Sequence, residues 1–269
     1  MAAFIFDGHT HSHYSFDGSE TIAAMCQAAM EAGVRGLTVT DHCDIGVYAL
    51  PDWQERLLGA AAEIEAQRER LQNRLTLSYG VELGQATHDI PMAQQVLALA
   101  DYDVVLGSLH NLHQTEDFYF LQEKALDKKA LLDEYFKELL QLARTDTFDV
   151  LAHITYAYRY MGYGKDIPPV QCFEPMLRAL FTTLAQNGKA LELNTSGLYR
   201  NPKARAMPDL WELKLFKECG GEMVALGSDA HIAANIGRGI EEGQALLRAA
   251  GFSYQVVYQA RKPVLYKLD

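Results

Sequence analysis

Ala3-Phe4-Ile5-Phe6-Asp7-Gly8-His9-Thr10-His11 opens the chain with an apolar run that ends abruptly in polar residues. Ala3 to Gly8 reads as a strand, and the period of two sets His9 and His11 on the same side of the chain, where two neutral imidazoles can bind one ion. Further strands are expected at Gly36 to Thr40, Leu75 to Glu82, Tyr102 to Ser108, Asp149 to Ala152, Ala190 to Asn194 and Glu222 to Gly227. Helices are expected between and after them, at Glu20 to Ala32, Trp53 to Leu71, Pro91 to Leu99, Lys124 to Arg144, Cys172 to Gln186, Pro208 to Glu218 and Gly239 to Ala250. The Trp53 to Leu71 helix has an apolar face of Trp53, Leu57, Ala61, Ile64 and Leu71, with the stem of Arg68 laid across it.

Strands alternating with helices require parallel pairing, because each crossover helix returns the chain to the same end of the sheet. A barrel and a doubly wound sheet both satisfy this. The polar residues favour the barrel, since nearly every strand runs into a His, Asp or Glu at its C-terminal end, and a ring of such ends builds a barrel active site. A doubly wound sheet, the alternative, concentrates its site at one crevice.

The ring consists of His9 and His11, then Thr40-Asp41-His42, Gly80-Val81-Glu82, Ser108-Leu109-His110, Ala152-His153 and Gly227-Ser228-Asp229-Ala230-His231. Six of the nine histidines fall there. Any one of them alone reads as a capping or hydrogen-bonded residue; their joint placement reads as metal ligation. A carboxylate such as Glu82 can bridge two ions, and imidazole with carboxylate suits Zn, Fe or Mn better than Ca or Mg.

The 269 residues are 49% hydrophobic and 22% charged, which suits a globular chain with a sizeable core, and no linker or low-complexity block divides it. One domain over residues 1–269 is expected. A net charge of −11 and a pI near 5.3 exclude a nucleic-acid surface as the first reading, while leaving small phosphorylated substrates open. No apolar run approaches the roughly 20 residues needed to span a bilayer, and Met1 to Asp7 lacks the regions of a signal peptide. Cys26, Cys43, Cys172 and Cys219 are scattered without a Cys-x-x-Cys pair, so reduced thiols and a cytoplasmic location are expected, with no membrane partner. The sequence leaves the oligomeric state open.

These strand-end motifs, with Asn194-Thr195-Ser196-Gly197, resemble in content and order those of the polymerase and histidinol phosphatase (PHP) superfamily, in particular its histidinol phosphatase branch. The resemblance implies a distorted seven-stranded (β/α)7 TIM-like barrel with three divalent metal ions, Zn, Mn or Fe. It implies that His9, His11, Glu82 and Asp229 hold one ion, Glu82, His110 and His153 a second, and Asp17, His42 and His231 a third. Two positions depart from the family pattern. Asp17 stands where many relatives have a histidine, and Thr155 where relatives often have an aspartate that orients a neighbouring ligand. His13, His88 and His113 take no metal role from the resemblance.

Arg159 and Arg200 follow strand ends in loops facing the ring, and the resemblance makes them ligands of the substrate phosphate, which a guanidinium meets with a two-pronged donor set. The implied reaction is hydrolysis of a phosphate monoester, L-histidinol phosphate, by a metal-bridging hydroxide, with Asp229 and His231 as candidates to protonate the leaving alkoxide. Asp44, Asp89, Glu116, Asp117 and Asp166 lie in loops from which a carboxylate can meet a substrate ammonium. The competing readings are a nucleotide phosphatase or nuclease of the same superfamily and a non-catalytic metal-binding or sensor protein.

Overall fold

The structure is a computed structural model describing residues 4–72, 74–121, 127–161, 166–200 and 205–268. Its centre is a run of parallel strands: β1 (Phe6–Thr10), β2 (Gly36–Val39), β3 (His42–Asp44), β4 (Thr76–Gly84), β5 (Val104–Ser108), β6 (Val150–Leu151), β7 (Ala190–Asn194) and β8 (Val224–Gly227). They hydrogen-bond in the order β1-β2-β4-β5-β6-β7-β8, and β3 continues the β2 side along β4, with His42 in register with Glu82. Counting β2 and β3 as one staggered strand gives a nearly closed barrel of seven.

Closure falls between β1 and β8 and lies at their C-terminal ends, where His11 N–H donates to Ala230 O at 2.9 Å and Asp229 N–H donates to His9 O at 2.8 Å. Lower down the two strands press together so closely that a Cβ on Gly8 would lie 2.8 Å from the Leu226 carbonyl oxygen. Buried Asp7 braces the seam by accepting from Ser228 N, Ser228 Oγ and Gly237 N.

The longer helices are α1 (Ile22–Glu31), α2 (Trp53–Leu71), α3 (Ile90–Leu99), α4 (Lys128–Ala143), α6 (Glu174–Gln186), α8 (Leu210–Glu218) and α9 (Ile240–Ala250); short turns α5 (Tyr156–Met161) and α7 (Ser196–Arg200) follow β6 and β7. Helix α2 has the expected limits, but its buried face is Leu57, Ala60, Ile64, Gln67 and Leu71. Trp53 and Ala61 sit at the margin of that face. Lys124 to Leu126, at the start of the expected fourth helix, lie outside the described residues.

An antiparallel hairpin of β9 (Tyr254–Gln259) and β10 (Lys262–Lys267) follows α9 and has no counterpart in the sequence reading. Val256 and Tyr258 pack with Val104, Leu106, Val150, Ala152 and Ala190 in a cluster separate from the main core, filling the N-terminal half of the barrel. Among the described residues no helix is long and apolar enough to cross a membrane.

Candidate metal centre

Six of the eight parallel strands deliver polar residues as the chain leaves the sheet: His9 in β1 and His11 just after it, His42 in β3, Glu82 in β4, His110, His153 and Asp229 just past β5, β6 and β8, and His231 beyond. His153 and Asp229 have positive φ, 44° and 55°. For residues with side chains that conformation is disfavoured by about 1–2 kcal/mol, so both are held there by their surroundings.

Glu82 is the hub. Its Oε1 lies 2.8 Å from His153 Nε2 and 3.1 Å from His110 Nε2, and its Oε2 lies 3.2 Å from His9 Nε2, 3.4 Å from His11 Nε2 and 3.0 Å from His42 Nδ1. His11 Nε2 is also 3.5 Å from Asp229 Oδ1. Thus the two residue groups built on Glu82 in the sequence reading are each brought together. The third also gathers: Asp17 Oδ2 is 3.0 Å from His231 Nε2 and Asp17 Oδ1 is 3.7 Å from His42 Nε2, with Asp17 exposed at the rim. His42 belongs to two neighbourhoods at once, since nitrogens of His11, His42 and His231 also lie within 4.8 Å of one another.

Several contacts make poor hydrogen bonds and good ligand geometry. His9 Nε2 and His11 Nε2 face each other at 3.0 Å, where at most one can donate. His42 Nδ1 and His153 Nδ1 are buried without a hydrogen-bond partner. Groups of three such atoms occur at His9-His11-Glu82, His42-Glu82-His110, His11-His42-His231 and His9-His153-Glu192. Nitrogen and carboxylate atoms converging in this way fit a borderline divalent cation.

Electrostatics describe the same deficit. Burial opposes charge on His9, yet Glu192 and Glu82 outweigh it and raise its pKa well above the usual histidine range. Glu82 and Asp44 do the same for His110 against burial. His42, also buried, is pushed up to about 9 by Glu82, Asp17 and Asp44. His11 goes the other way, lowered by burial and by the rings of His42 and His231. Glu82 is held well below the carboxylate range against its burial by His42, His9 and His110. Without bound cations, protons are the only counter-charge these carboxylates have from the rings.

The arginines lie at the same mouth. Arg159 Nη1 donates to Asp229 Oδ2 at 3.2 Å; Arg200 Nη2 donates to the Asp229 carbonyl at 2.7 Å and lies 3.4 Å from His231 Nδ1. With all the ligand candidates except His9 and His11 they line a cavity of about 280 Å³. His13 is exposed, with Nδ1 3.3 Å from Glu20 O, and His88 pairs with Glu138 at 3.1 Å beside the ring of His113.

Sequence reasoning assigned Glu192 and Ser15 no role and placed Asp44 only among the carboxylates for a substrate ammonium, yet all three are partners of outer ring nitrogens. His9 Nδ1 meets Glu192 Oε1 at 2.6 Å, His110 Nδ1 meets Asp44 Oδ1 at 3.2 Å, and His11 Nδ1 meets Ser15 Oγ at 3.1 Å. Glu192 had a visible signal, a carboxylate at an inward position of the apolar strand Ala190-Leu191-Glu192-Leu193-Asn194. Gly227 makes room for it: a Cβ there would fall 2.3 Å from His9 Cβ and 2.7 Å from Glu192 Oε1. Thr155, by contrast, provides no hydrogen bond to His153 Nδ1.

The PHP domain model matches residues 7–196. The chain belongs to the PHP domain family. Among its relatives are the probable histidinol-phosphatases of Deinococcus radiodurans, 30% identical over 86% of this chain and 88% of that one, and of Thermotoga maritima, 25% identical over 98% and 100%. Its fold matches that of histidinol phosphate phosphatase from Lactococcus lactis complexed with zinc, L-histidinol and phosphate, with a TM-score of 0.81 and 25% identity over 97% of this chain and 98% of that one. The PHP domain match spans β1 through the start of α7; Asp229 and His231 lie beyond it.

Proposed function

We propose that this chain is a metal-dependent phosphate monoester hydrolase that converts L-histidinol phosphate to L-histidinol and phosphate, acting as one domain over residues 1–269. The observation that carries the reading is the convergence of five imidazoles on the two oxygens of Glu82, with two arginines at the same mouth. The likeness over nearly the whole chain to the Lactococcus enzyme, whose complex contains zinc, histidinol and phosphate, supports the substrate.

His9, His11, Glu82 and Asp229 would hold one ion, Glu82, His110 and His153 a second, and Asp17, His42 and His231 a third. Zinc is the first choice, with manganese and iron the alternatives. Bound divalent ions supply Lewis acidity toward the phosphoryl oxygens and lower the pKa of water. Arg159 and Arg200 bind and orient the phosphate, spreading the charge that builds on its equatorial oxygens. Asp229 and His231, beside those arginines, are the two candidates to supply the proton taken up by the leaving alkoxide. The buried outer shell of Glu192, Asp44 and Ser15 keeps the rings aimed at the centre.

A second cavity, of about 540 Å³, adjoins the first and shares Phe16, Asp17, Asp117, Tyr156 and Tyr160 with it. Its other walls include Tyr48, Tyr119 and Phe120, and Asp44 joins the shared Asp117 as a carboxylate. Aromatic faces suit an imidazole, and a carboxylate suits the substrate ammonium. Asp89 is otherwise engaged, capping α3 through Met92 N. A cytoplasmic location agrees with four unpaired cysteines.

Phosphate release from L-histidinol phosphate, nucleoside monophosphates and a short single-stranded DNA tests the reading. The expected result is a kcat/KM for histidinol phosphate above about 10⁴ M⁻¹s⁻¹, the lower edge of ordinary enzymes, with the others far below. Preference for nucleotides or DNA would replace the substrate.

A further inference from the structure

Ser15 lies buried in the loop between β1 and α1 and is in none of the ligand groups above. Its Oγ donates to Asp41 Oδ1 at 2.8 Å, accepts the His42 backbone N–H at 3.0 Å and stands 3.1 Å from His11 Nδ1. A hydroxyl has one proton and two lone pairs, and all three can be assigned. Asp41 Oδ1 is an acceptor, since it also takes the Ser12 backbone N–H at 2.7 Å, so the serine proton goes to it. The His42 N–H can only donate and fills one lone pair. The other lone pair is left for His11, whose Nδ1 must carry the proton. His11 Nε2 is then the nitrogen with a free lone pair, and it is the one facing His9 Nε2, Glu82 and Asp229.

We propose that Ser15, held by Asp41, is a positioning residue for metal binding: it locks His11 in the Nδ1–H tautomer and fastens the loop that carries Asp17 to the end of β2. Asp41 extends the hold by accepting from Ser12 Oγ at 2.7 Å. One oxygen atom therefore ties together His11, the backbone of His42 and the segment leading to Asp17. The His11 ring lies against those of both His42 and His231, at 4.2 Å from each, so a change in its orientation is felt by both neighbours.

The inference rests on the ligand reading given under Proposed function, and its test separates the two. Full-length wild type, Ser15→Ala and Ser15→Thr are titrated with zinc alone against a chromophoric chelator, and imidazole nitrogen NMR of the zinc-loaded proteins reports the protonated nitrogen of His11. Ser15→Ala is expected to weaken zinc binding by about 10–100-fold, the usual cost of losing an outer-shell partner, with Ser15→Thr within about threefold of wild type. The wild-type spectrum should show a proton on His11 Nδ1, exchanging faster in Ser15→Ala. Unchanged zinc affinity and exchange in a folded Ser15→Ala would overturn the proposal. So would a wild-type His11 protonated at Nε2, a result that decides the matter even if Ser15→Ala does not fold. Wild type that binds no zinc contradicts the ligand reading itself.

Discussion

The two ends of the barrel both bury carboxylates and balance them by different means. At the N-terminal end Asp149 accepts from Val105 N at 2.9 Å and from Arg261 Nε and Nη2 at 2.6 and 3.0 Å. Nearby Asp103 accepts from Tyr79 N, Ala260 N and Arg68 Nη2 at 2.9, 2.9 and 2.5 Å. Arginine keeps its charge at any pH of interest, so these carboxylates are satisfied by the chain alone. At the C-terminal end Glu82 faces five imidazoles, each able to lose its proton. One end is electrostatically complete; the other is completed by protons or by metal ions. That difference separates a structural ion-pair network from a candidate reaction centre.

Removing charge at one end at a time should give opposite outcomes. Glu82→Gln is expected to release metal and lower kcat/KM by about 10³-fold or more, roughly 4 kcal/mol of transition-state stabilisation. Metal analysis and steady-state kinetics check this, and a variant with normal metal content and turnover would remove Glu82 from the centre.

Asp149→Asn should do the reverse. Denaturant titration is expected to show a loss of about 1–3 kcal/mol, the cost of weakening charge-assisted hydrogen bonds, with part-exposed Arg261 keeping the figure modest. Metal content and kcat/KM should stay at wild-type levels; a large fall in either would mean that the two ends are not independent. A smaller effect is expected from Glu192→Gln, which keeps the shape beside His9 and loses the charge. About tenfold weaker zinc binding, measured by competition, is the expected outcome.

A still gentler probe is pH. In metal-stripped protein the His42 pKa is raised to about 9 by Glu82, Asp17 and Asp44 acting against burial, from an ordinary 6.5. A raised histidine stabilises the fold fully below its unfolded pKa and loses that contribution as pH rises through the folded value. Stability of the stripped protein should therefore fall between pH 6.5 and about 9, and His9 and His110, also raised, act in the same direction. With zinc present the trend should reverse, because ligand deprotonation favours metal binding. Parallel denaturation curves with and without zinc would contradict the claim that protons stand in for metal.

Much of the active end was legible in the sequence because a parallel strand places its last residues at the site, so apolar runs ending in His, Asp or Glu marked both the barrel and the ring. The hairpin that fills the other end was not. Its turn residues Ala260 and Arg261 take φ of 47° and 63°, positions where glycine or asparagine is the usual signal. The short strand β3 was also missed, since the expected strand stopped at Thr40 and Asp41-His42 read only as its polar end. The partners of the outer ring nitrogens depend on contacts between distant segments: Glu192 lies 183 residues from His9 and Asp44 lies 66 from His110. Periodicity places Glu192 inside the barrel; only the fold shows which ring it meets.

On this reading the C-terminal end becomes catalytic when cations replace the protons on its rings. Its most direct test is to strip the protein with a chelator and add zinc back in steps while following phosphate release from L-histidinol phosphate. The stripped protein should release negligible phosphate, and release should rise with added zinc and level off once the centre is filled. Full activity in the stripped protein, or none in protein that has bound zinc, would contradict this reading.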